Sequence, residues 1–121
     1  MLIKTIKNIP QRVVRAFNYS WDGLKSAVIK EESFRLEMMS LIILVAVLFF
    51  VPWPLWKKAA LTASFQLIPL TELLNSAIED VCDLVSPDRN PLVKAAKDKG
   101  SAAVLLAIVI NLSVLTALLF F

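Results

Sequence analysis

The sequence predicts an all-α integral membrane protein, with an amphipathic surface helix and three membrane-spanning helices in one domain over residues 1–121. Three observations carry this expectation. The chain is 58% apolar with a mean hydropathy of +0.71, too apolar for an ordinary soluble domain of its size. Its 121 residues accommodate three spans, at roughly 20 residues each. Charged or proline-rich stretches at 30–37, 52–58 and 86–91 divide the apolar sequence into segments of helical length.

The surface helix is expected over about residues 8–30. Residues 1–30 hold Lys4, Lys7, Arg12, Arg15, Lys25 and Lys30 against one acid, Asp22. Val13, Val14, Phe17, Trp21, Leu24 and Val28 recur at steps of one, three or four, which makes a basic amphipathic helix lying in the membrane surface. No apolar core follows the first charges and no small-residue cleavage site appears, so the segment is not a signal peptide. A soluble nucleic-acid-binding arm would tolerate Phe17, Tyr19 and Trp21, but the apolar chain that follows favours the membrane.

The first span is expected over about 34–51. Its apolar run, MMSLIILVAVLFFV, is short for a crossing, so the helix begins in the charged KEESFRLE stretch before it. Pro52 and Pro54 end it, and Trp53, Trp56, Lys57 and Lys58 form an interfacial turn. The second span, about 56–84, is longer than a crossing needs, so its last turns leave the hydrocarbon. Pro69 cannot donate to the Phe65 carbonyl, which predicts a kink or a local hydrogen bond from Ser64 or Gln66. After the 86–91 loop, Asn90 is placed to cap a third helix with Pro91 at its first position. That helix runs over about 92–121, with its first two turns cytoplasmic and the membrane entered near Ser101. Asn111 and Ser113 fall deep in this span and read as helix–helix hydrogen bonding.

Lysine and arginine set the orientation. Seven lie between the N-terminus and Arg35 and four between 85 and 100, against two in the 52–58 turn. The positive-inside rule then places the N-terminus and second loop in the cytoplasm, and the first turn and C-terminus outside.

With only Gly23 and Gly100, the chain has neither a GxxxxGK phosphate loop nor a GxGxxG dinucleotide loop. With no histidine and one cysteine it has no zinc site, Cys/His pair or internal disulfide. A metal would need oxygen ligands, which suits Mg²⁺. The chemistry-bearing stretch is Thr71–Asp83, TELLNSAIEDVCD, where Glu72, Asn75, Ser76, Glu79 and Asp83 share one helical face. Each carboxylate inside a bilayer costs roughly 2.5–3.5 kcal/mol on insertion scales, so function is favoured over packing for Glu72 and Glu79. The deeper Glu72 suits a general base, because partial burial raises a carboxyl pKa. Converging carboxylates can hold Mg²⁺ with a nucleotide, and Lys97 beside Asp98 can neutralise phosphate charge. Asp80, Asp88, Glu32 and Lys99 read as solvated surface. A small cation- or proton-conducting subunit and a purely structural subunit remain the readings from other classes.

Three motifs carry a resemblance. E-x-x-F-R at Glu31–Arg35, E-x-L-N-S-A-I-E-x-x-x-D at Glu72–Asp83 and A-K-D-x-G-S-A-A-V at Ala96–Val104 together resemble the prokaryotic diacylglycerol kinase family, and Tyr19-Ser20-Trp21 also fits. The resemblance implies a homotrimer in the bacterial inner membrane, with active sites shared between subunits on the cytoplasmic side. It implies transfer of the γ-phosphate of MgATP to diacylglycerol, giving phosphatidic acid, with no nucleic-acid partner. Carried over, Glu72 is the general base, Asn75 orients the catalytic face, and Lys97 and Asp98 complete the phosphate site. Glu31 and Glu79 hold the metal–nucleotide complex; Arg12, Tyr19, Asp88, Arg89 and Asn90 face ATP. Ser33, Phe34, Arg35, Glu37 and Ser101, with Glu72, match positions near the lipid. The Gly100-Ser101-Ala-Ala run fits the diacylglycerol kinase branch; the related undecaprenol kinases are the alternative within the family.

Overall fold

The computed structural model describes residues 9–86 and 90–120 of the chain. The described residues form four helices and no strand: α1 (Ile9–Lys30), α2 (Glu32–Phe50), α3 (Leu55–Val85) and α4 (Pro91–Phe120). The chain divides into two compact units, Met1–Glu32 and Ser33–Phe121.

In the first unit, α1 ends at Lys30, and residue 8, the expected start of the helix, lies outside the described residues. Its side chains from Gln11 to Lys25 are exposed, including Phe17, Tyr19 and Trp21 at 63–71%. Such an exposed aromatic set on a basic helix is the composition of an interfacial segment. Glu31 interrupts the helical run, although its N–H still donates to the Ala27 carbonyl at 2.8 Å.

All of α2 after Glu32 belongs to the second unit; the helix starts at Glu32, inside the charged stretch, because the apolar run alone is too short to make a stable crossing length. It stops at Phe50, before Pro52 and Pro54, neither of which can extend it. Pro54 then precedes α3 with extended backbone and no side-chain cap. At its other end α4 starts as expected: Asn90 Oδ1 accepts from the Leu92 N–H at 2.9 Å, and Pro91 fills the first position.

The assignment of α3 runs unbroken through Pro69, which is buried. Of the outcomes expected there, the bond from Ser64 to the freed Phe65 carbonyl is not made. The Ser64 hydroxyl instead donates to Leu61 O at 2.9 Å and accepts from Asn111 Nδ2 at 2.9 Å. Just beyond the proline, the Thr71 hydroxyl is shared between the Leu67 and Ile68 carbonyls. Ser113 satisfies itself on Val109 O of its own helix, so only Asn111 of the predicted pair crosses between helices.

The principal packing is the antiparallel α3–α4 hairpin. Its contacts keep one register: Lys57 meets Leu118, Ser64 meets Asn111 and Asn75 meets Gly100, all three pairs centred on the same position of the sequence. At the far end Leu48 of α2 joins Leu61 and Leu118, with Leu44, Trp53 and Val114 around them. There the Lys57 ammonium donates to Leu118 O at 2.8 Å and lies over the rings of Trp53 and Trp56. A cation on the C-terminal carbonyls of α4 complements that helix's dipole.

α2 and α4 are each long and apolar enough to cross a membrane, and only 11% and 17% of their apolar windows are buried within the chain. A core helix of a soluble protein would be covered. α3, at 31 residues the longest helix, stays outside that pair because its polar face lowers its hydropathy.

Candidate functional site

The α3 face predicted from spacing is turned inward over Glu72–Glu79, while Asp83 at its loop end is exposed. Asn75 is 8% exposed and Glu72, Ser76 and Glu79 are half-buried, whereas Leu74 and Val81 are each 60% exposed. This is the reverse of a soluble amphipathic helix, and it follows where the outer medium is apolar and polar groups must find partners inside. Asp80 is exposed, as expected of a solvated acid, and Cys82 is a half-buried free thiol.

Asn75 Nδ2 donates to Glu79 Oε1 at 3.2 Å, one turn along the same helix. A carboxylate only accepts, so it fixes the amide with nitrogen toward Glu79. The amide oxygen then points to α4, where it is buried without a hydrogen-bond partner, and it lies against Gly100. Towards the loop, Lys97 Nζ donates to Asp83 Oδ1 at 2.6 Å, tying the start of α4 to the end of α3. That hydrogen bond, opposed by some desolvation and helped by the charges of Asp83 and Glu79, holds the Lys97 ammonium above the usual lysine range. Lys94 pairs with Asp98 one turn on.

Glu72 interacts electrostatically with Glu37 of α2, whose Oε2 is buried and has no hydrogen-bond partner. Among the residues matched to a lipid site, Phe34 is buried at 2%, Arg35 and Glu37 are half-buried, and Ser33 and Ser101 are exposed. In the first unit Arg12 and Tyr19 are exposed on α1 and Glu31 is half-buried. Asp88 and Arg89 lie outside the described residues, and the Asn90 side chain is engaged as the α4 cap.

The hairpin therefore brings Asn75 and Glu79 together and places Lys97 within electrostatic reach of Glu79, while Glu72, on the same face, meets Glu37 of α2. It also gives partners to two motif residues to which the sequence assigned no specific role: Asp83, bonded to Lys97, and Gly100, against Asn75. Among the described residues no three acids converge as a preformed metal cage. The oxygen chemistry still fits Mg²⁺, which binds through one or two carboxylates plus phosphate oxygens and keeps several waters. Glu79 is a carboxylate of that kind, oriented by an amide and within electrostatic reach of a lysine.

The sequence pattern described as prokaryotic diacylglycerol kinase matches residues 18–120. A protein of Escherichia coli (strain K12) named diacylglycerol kinase is 38% identical over 99 residues, 82% of this chain and 81% of its own length. One of Haemophilus influenzae with the same name is 38% identical over 109 residues, 90% of this chain and 92% of its own. A third, from Pseudomonas aeruginosa, is 39% identical over 100 residues, covering 83% and 81%.

Proposed function

The chain belongs to the prokaryotic diacylglycerol kinase family, and from that premise we propose that it transfers the γ-phosphate of MgATP to the hydroxyl of diacylglycerol, giving phosphatidic acid and ADP. It is a bacterial membrane enzyme, and the proposed setting is a homotrimer in the inner membrane. Each chain contributes α2, α3 and α4 as spans, with α1 on the cytoplasmic surface and the active sites shared between neighbouring chains.

The inward-turned face of α3 supports the chemistry. Glu72, sunk furthest toward the bilayer, takes the proton of the lipid hydroxyl as its oxygen attacks the γ-phosphorus. The bond from that phosphorus to the β–γ bridging oxygen breaks, and ADP leaves. A positioned carboxylate base contributes typically 10²–10⁴-fold to such a step. Glu79 would hold Mg²⁺, which when bound neutralises the triphosphate charge; Glu31 is the second carboxylate the family resemblance offers. Asn75 fixes Glu79, and Lys97 with Asp98 lines the phosphates. Arg12, Tyr19, Asp88, Arg89 and Asn90 are the residues proposed for the nucleotide; Ser33, Phe34, Arg35, Glu37 and Ser101 are those proposed for the glyceride. Phosphoryl transfer asks mainly for positioning and charge neutralisation, which a helical hairpin with a few fixed side chains supplies.

One observation carries the reading: the family match runs over 18–120 and includes all three chemistry-bearing motifs. The purified protein, given MgATP in mixed micelles, is expected to phosphorylate diacylglycerol faster than ceramide or polyprenols. Faster turnover of a polyprenol would move the chain to the undecaprenol branch, and no lipid phosphorylation would remove the kinase reading.

A further inference from the structure

Gly100 is buried where α4 crosses the polar face of α3. A Cβ built on it would meet Asn75 Oδ1 at 2.2 Å and Asn75 Cγ at 3.2 Å, while the Asn75 backbone stays at an ordinary 3.7 Å. The obstacle is thus the tip of one side chain and not the helix behind it. That tip is held from its other end, because Asn75 Nδ2 donates to Glu79 Oε1 at 3.2 Å. The amide oxygen has no hydrogen-bond partner that would explain why it faces α4. The space above Gly100 explains it: the bond to Glu79 aims the nitrogen along α3, and the oxygen then needs a surface without a side chain.

From this geometry we infer that Gly100 is a positioning residue for the phosphoryl-transfer site: its missing side chain leaves room for the Asn75 amide to orient the Glu79 carboxylate toward the metal–nucleotide complex. Asn75 stands to Glu79 as an outer partner stands to a metal-binding group, and losing such partners typically costs 10–100-fold in metal affinity or activity. The inference deepens the kinase reading and rests on Glu79 as a metal-binding residue.

The test is a double-mutant cycle on Gly100→Ala and Asn75→Ala, read as the Mg²⁺ concentration for half-maximal turnover and as the side-chain amide NMR signals of Asn75 in labelled protein. Gly100→Ala is expected to shift the Asn75 amide signals and raise the Mg²⁺ requirement about tenfold. In the Asn75→Ala background the added methyl meets no amide, so Gly100→Ala should change that requirement by less than about twofold. If Gly100→Ala alone fails to fold, the double variant should fold, since the obstructing amide is gone. Unmoved amide signals, or penalties that multiply in the double variant, overturn the inference. Moved amide signals with an unchanged Mg²⁺ requirement, together with an unchanged requirement in Glu79→Ala, overturn the metal assignment on which it rests.

Discussion

Single side chains in this chain are placed by what they cannot do in an apolar medium. Glu72, Asn75 and Glu79 each need a partner away from lipid, so they turn toward the hairpin interior, and Asn111 does the same further along by donating to Ser64. That last bond gives an asymmetric prediction. Ser64→Ala strands the amide hydrogens of Asn111 and should cost about 1–3 kcal/mol, whereas Asn111→Leu removes the polar group itself and should cost less than about 1 kcal/mol. Unfolding titrations in mixed detergent measure both, and equal losses would contradict this account of the bond. At this scale the sequence was informative about identity and silent about partners. The spacing 72, 75, 79 put the site on one face, because helical periodicity is local. That Asn75 leans on Gly100, or that Lys97 reaches Asp83, depends on which residue of another helix stands opposite.

Between elements, the α3–α4 register is what decides those partners. Contacts at 57/118, 64/111 and 75/100 share one midpoint in the sequence, so a single alignment sets them all. The helix limits were legible from prolines, from the Asn90-Pro91 start and from charge, to within about two residues. The outcome at Pro69 was not: the Ser64 hydroxyl is used by Leu61 and Asn111 rather than by the Phe65 carbonyl, a choice made by the neighbouring helix. Near the loop, the Lys97–Asp83 bond closes the hairpin. Because Lys97 is raised above its ordinary value of 10.5, its contribution is complete below that pH and lost as pH climbs through the raised value. Asp83→Asn should therefore lower the melting temperature by the same small amount at about pH 6 and about pH 9, with the difference fading only in stronger alkali. A cost that varied between those two pH values would show that Lys97 does not titrate as described.

For the whole molecule, the described residues bury few apolar side chains, none larger than Phe34, while Phe49, Phe50 and Phe120 are about four-fifths exposed. So small a core is what a membrane-embedded chain needs, because lipid can cover the apolar remainder. The apolar composition made this legible at once, and the motifs added the family. Whether a site draws on more than one chain is not encoded locally in one sequence. If sites are shared, mixing inactive Glu72→Gln and inactive Lys97→Ala chains should restore part of the activity, since some mixed sites draw both intact residues from different subunits. Mixtures as inactive as their components would contradict shared sites.

The central claim is that a carboxylate held in the bilayer half of α3 accepts a proton from a lipid alcohol during phosphoryl transfer. Label from the γ-position of ATP, followed into phosphatidic acid, tests it most directly in the wild type and in Glu72→Gln at matched folded concentration. Steady incorporation is expected from the wild type, with a loss of about 10²–10⁴-fold in the variant. Incorporation by Glu72→Gln within a few-fold of the wild type would contradict it.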